Sequence, residues 1–163
     1  MSRWIYLFLL VILVPLQTTS ANSISLALVR PDLGLLLVYF IGFFKGEVAG
    51  FSTGLLAGIL LDLFSAGPFG LQMASKALVG VSSGLLGRFF LIITAPLCMG
   101  LLFLVSLGSG LLLYLAHDLS LGGAHFLGVF RWTLLPESLY NAVLGGLLYG
   151  SGIIRLKSRT AEV

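Results

Sequence analysis

The sequence predicts an all-α integral membrane protein: a bundle of six transmembrane helices, or five if the second segment is re-entrant. Three observations lead there. Of the 163 residues, 58% are hydrophobic and 9% charged, with a mean hydropathy of +1.11. A soluble domain carries about 25% charged residues, so nine Lys/Arg and six Asp/Glu cannot coat this surface. The apolar residues gather in six stretches near the length of a bilayer crossing, about 20 residues at about 1.5 Å each. The charges stand mainly at the ends of those stretches. A water-soluble enzyme is excluded, and so is a disordered chain, which requires low hydrophobicity.

The six spans run over about 3–22, 29–45, 47–65, 69–88, 90–116 and 134–155 of a single transmembrane domain, with 156–163 as a short basic tail. The first imitates a signal peptide, with Arg3, an apolar run from Trp4 to Val14 and small residues near Ala21. It reads as a retained span that Pro15 is placed to kink. The second has only twelve uncharged residues, Leu33 to Phe44, or about 18 Å of helix, which is why a re-entrant segment is its alternative. The fifth is long enough to tilt. The stretch His117 to Thr133 reads as neither a clean helix nor a solvated loop, and Phe126, Phe130 and Trp132 suit the membrane interface.

Basic residues set the orientation. Arg3, Lys45, Arg88, Arg155, Lys157 and Arg159 fall on the side shared by both termini, against Arg30 and Arg131 opposite. The positive-inside rule puts that side in the cytoplasm. The net charge of +3 reflects this bias rather than a nucleic-acid surface. The one cysteine, Cys98, excludes an intrachain disulfide and reads as a small packing residue.

The third span is the most patterned. Gly46, Gly50, Gly54 and Gly58 recur every four residues and Asp62 follows at the same interval. Four residues turn about 400°, so Gly54, Gly58 and Asp62 share a face while Gly46 has rotated away. Small residues at this spacing let two helices approach closely, either within the bundle or against a partner. Asp62 and Lys76 are the charges inside spans, where ionisable groups are costly and mark function or pairing. The tight turn between their spans makes an Asp62–Lys76 pair the expectation, with a proton or substrate relay as the sharper alternative. Arg30-Pro31-Asp32 opens the second span as Pro136-Glu137 opens the sixth, each with Pro in the first turn and an acid at the positive end of the helix dipole. Asn141 is placed to hydrogen-bond across helices.

No catalytic or cofactor signature is present: no HExxH, no phosphate loop, no dinucleotide fingerprint and no GxSxG elbow around Ser82 or Ser109. His117, Asp118 and His125 lack a diagnostic metal spacing. The expectation is no enzyme, no cofactor and no metal.

The polar punctuation of the apolar runs resembles the MreD family of bacterial rod shape-determining membrane proteins. The matching features are Leu16-Gln17, Arg30-Pro31-Asp32-Leu33, Val38-Tyr39, the run from Gly54 through Gly58 and Asp62 to Ser65, Gly70-Leu71, Tyr140-Asn141 and the basic tail. The sequence departs from the family in the fourth span, where Gln72 and Lys76 stand. The resemblance implies a non-enzymatic scaffold of the cell-elongation machinery in the cytoplasmic (inner) membrane. Its partners would be MreC, and through a larger complex MreB, RodA and a class B penicillin-binding protein, with membrane lipid around it and no nucleic acid. It also implies a fold like the substrate-binding subunits of energy-coupling-factor transporters. The residues themselves leave a second reading open, a vitamin-like binding subunit of such an importer with Asp62, Gln72, Lys76, Glu137 and Asn141 converging near one end. In the scaffold reading, the glycine face of the third span receives the MreC span.

Overall fold

The computed structural model describes residues 31–64, 69–90, 94–121 and 125–151. The expected first span, Arg30, Ser65, the turn at 66–68 and the basic tail lie outside the described residues. Helix is the only regular structure among those described: α1 (Leu33–Lys45), α2 (Glu47–Phe64), α3 (Leu71–Phe89), α4 (Ala95–Leu121), α5 (Phe126–Val129), a π-helical turn (Phe130–Leu134) and α6 (Leu135–Gly150). α2 and the Ala95–Leu119 part of α4 are long and apolar enough to cross a membrane. Only 28% and 22% of their most apolar 18-residue windows are buried in the protein, so most of those residues keep some outward-facing surface. Leu56, Leu63 and Leu104 are among the large side chains left exposed there. A soluble monomer rarely shows so much contiguous apolar surface.

α1 has the opposite character. Nine of its thirteen residues are buried, from Gly34 to Phe43 and on every side. A helix that is apolar all round belongs inside, and α1 is the axis of the bundle. Leu35, Leu36, Val38, Tyr39, Phe40 and Phe43 pack with Ala57 of α2, Val79 of α3, Cys98, Leu101 and Leu102 of α4 and Ala142 of α6. Its shortness follows from that position, because its polar start is sheathed by neighbouring helices rather than by lipid.

Gly46 alone links α1 to α2. Its φ of +97° is a conformation that side chains with a Cβ rarely adopt, and it folds the two helices into an antiparallel hairpin. An added Cβ on Gly34 would touch Leu61, and one on Gly50 would strike Gly42. α3 lies antiparallel to α2, with Gly58 against Met73, Gly54 against Lys76 and Ala77, Gly50 against Gly80, and Gly84 against Glu47. α3 therefore runs parallel to α1. α4 and α6 form an antiparallel pair, with Gly110 beside Leu134, Gly145 beside Leu102 and Gly146 beside Met99.

One expectation about a boundary is corrected. The fifth span does not stop at 116: α4 continues through His117 and Asp118 to Leu121, since two polar residues at a helix end do not interrupt its hydrogen bonds. Within the stretch to Thr133, a short helix and a π-helical turn cover 126–134 and lead into α6. Pro136 explains the π-helical turn. It has no N–H to donate, and its ring crowds the carbonyl four residues earlier, at Trp132. Widening the turn at Phe130–Leu134 relieves that crowding.

Candidate functional site

The polar side chains of the spans meet in a network that joins four helices. Asp32 is its hub. One carboxylate oxygen accepts the N–H of Leu35 at 2.8 Å and caps α1. The other forms an ion pair with the Lys76 ammonium. Its backbone N–H donates to Oδ1 of Asn141 at 2.9 Å. The Asn141 amide in turn donates to Ser106 Oγ of α4 at 2.9 Å. Ser75 and Ser109 share a hydrogen bond of 2.7 Å between α3 and α4. Glu137, one turn before Asn141, brings a second carboxyl within electrostatic range of Asp32 and Lys76.

Lys76 and Asn141 are each 0% exposed. A buried charge is tolerable only when paired and hydrogen-bonded, and here pairing does that. Geometry selects the partner. Helical side chains lean toward the helix N-terminus, and α3 is parallel to α1. The long Lys76 stem therefore points toward the start of α1, where Asp32 waits.

The expected Asp62–Lys76 pair is thus corrected. Asp62 is occupied elsewhere: it accepts the N–H groups of Gly70 (2.9 Å), Gln72 (3.1 Å) and Met73 (3.1 Å). The first N–H groups of a helix have no partner within it, and they carry the positive end of the helix dipole. A buried carboxylate from α2 satisfies them for α3. Gly70, at φ +98°, turns the chain so that its own N–H joins this cap.

The glycine face is filled as well. A methyl group on Gly50, Gly54 or Gly58 would fall on the α3 backbone, so α3 occupies the surface proposed for a partner span. The matching glycines of α3, Gly80 and Gly84, went unread in the sequence although they stand four apart, in register with Lys76. Gly42 and Gly87 complete the contact between α1 and α3. At the other end of the bundle Glu47 and Arg88 form an ion pair, which the sequence reading also missed.

Asp32, Lys76, Glu137 and Asn141 therefore converge, with Pro31 buried behind them. Asp62 and Gln72 belong to the separate cap of α3. Cys98 is buried next to Tyr39, as a packing residue would be. Among the described residues no group of three or more His, Cys, Asp or Glu side chains could hold a metal ion. The network pins helices by mutual pairing.

A family model described as rod shape-determining protein MreD matches residues 1–151. Neither the curated proteins nor the solved structures yielded a match.

Proposed function

The chain belongs to the MreD family of rod shape-determining proteins, and from that premise we propose that it is a non-enzymatic membrane scaffold of bacterial cell elongation. In this reading it binds MreC and helps to organise lateral peptidoglycan synthesis with MreB, RodA and a class B penicillin-binding protein. It lies in the cytoplasmic membrane with both termini inside. The observation that carries the proposal is the family match across 1–151.

The packing supports a scaffold. Described residues form almost no aqueous domain, so contacts with partners fall on helix faces and short connections. Membrane helices associate by close packing and polar contacts. Since α3 covers the glycine face of α2, the MreC span has to use other, outward surfaces. The importer reading loses its main motive: Lys76, Asp32 and Asn141 bind one another, and Asp62 binds the start of α3.

Affinity purification of the intact chain in mild detergent tests the proposal. MreC-type and RodA-type proteins are expected to co-purify. Recovery of an ATPase-linked transporter module in their place would overturn it, as would recovery of neither.

A further inference from the structure

The end of α4 and the helical turn that follows it form a patch of unusual composition. Measured along the axis, α4 continues about 18 Å past Ser109, whereas α3 begins only about 6 Å past Ser75, the residue bonded to Ser109. The tip therefore rises about 12 Å beyond the start of α3. At its base, level with the start of α3, Tyr114 and Phe126 meet at 5.5 Å between ring centroids, and Phe126 and Phe130 at 5.6 Å. Arg131 stacks over the ring of Trp132 at 5.6 Å. Leu127 is 78% exposed and Trp132 73%.

We propose that this aromatic patch is a lipid-binding surface, seated in the phospholipid headgroup layer with the Arg131 guanidinium on lipid phosphate. Water does not favour Leu127, Phe126 and Trp132 together on one surface, and hydrocarbon does not favour Arg131. The headgroup layer accommodates both within one helical turn, because indole rings partition there and arginine carries its charge to the phosphates. The patch also lies at the end of the longest apolar helical stretch among the described residues, Ala95–Leu119, where a membrane surface is due. The Trp132 ring, 5.6 Å from the guanidinium carbon, gives the cation an aromatic neighbour at the same depth. This surface is independent of which proteins the scaffold binds.

Trp132 reports its own depth. The chain has one other tryptophan, Trp4, so Trp4→Phe leaves a single probe. The full chain is reconstituted into phosphatidylcholine vesicles with and without phosphatidylglycerol, using lipids brominated near the headgroup or near the terminal methyl. Shallow bromine is expected to quench Trp132 at least about twofold more than deep bromine. Dominant deep quenching, dominant quenching by aqueous iodide, or protection from all three quenchers would each overturn the proposal. The same vesicles test the phosphate contact. Added phosphatidylglycerol should increase shallow quenching in the parent and in Arg131→Lys but not in Arg131→Gln. An unchanged response in Arg131→Gln would remove the assignment to Arg131.

Discussion

The two halves of the bundle pack by different means. In the unit of α1, α2 and α3 the helices touch backbone to backbone: a methyl on Gly50, Gly54, Gly58, Gly80 or Gly84 would meet main-chain atoms. In the pair of α4 and α6, a methyl on Gly110, Gly145 or Gly146 would meet only side-chain atoms of Leu134, Leu102, Leu36 or Met99. On α4 itself Gly100 and Gly108 have open space around them. The difference is one of compliance. A side chain can change rotamer to admit a methyl group, but a main chain held in a helix cannot move without its whole element.

The sharpest way to break this contrast is a leucine on each side of it. Gly54→Leu is expected to abolish the folded protein, read as loss of a monodisperse peak in detergent, while Gly108→Leu should purify normally. Equal recovery of the two would mean that the glycine seam is not what holds α2 to α3. Next in size is Lys76→Met, which leaves the largely covered Asp32 carboxylate without its counter-ion. It should cost about 3–5 kcal/mol, read as a fall in thermal stability in detergent. Adding Asp32→Asn should recover part of that loss, because no unpaired charge then remains. Asp62→Ala removes three acceptor contacts at the start of α3 and is expected to cost about 1–2 kcal/mol. Smallest is Gly146→Ala. There Met99 has only to swing aside, at about 1 kcal/mol, the lower end for overpacking. A larger loss at Gly146 than at Asp62 would show that the second half is as rigid as the first.

What the sequence displays depends on how local each feature is. The helix Glu47–Phe64 is visible in it because bounding charges and a four-residue glycine interval lie within one segment. Gly50, Gly54 and Gly58 are likewise recognisable as a close-packing face, since spacing alone reveals it. Which helix fills that face is not recorded in the spacing: packing within the bundle is the stronger reading, but α3 is not singled out. The Lys76 partner was missed for the same reason. Asp62 is nearer in sequence and one turn away in topology, but it is claimed by N–H groups whose need appears only once α3 has a start. Asp32 is 44 positions away and becomes the neighbour only because α1 and α3 run parallel. Ser75, Ser106 and Ser109 carried no signal at all, since a serine among apolar residues is equally at home bonded to its own helix.

That separation of 44 positions also bears on how the protein is made. A chain synthesised from its N-terminus presents Asp32 to the membrane while Lys76 is still unmade. α1, with thirteen residues and an acidic start, is too short and too polar at that end to settle in lipid alone. The hairpin through Gly46 gives it α2 as a neighbour, and the arrival of α3 then supplies the glycine seam and the counter-charge together. Assembly is thereby ordered: the central helix is the earliest of the three in the chain and the last to be neutralised.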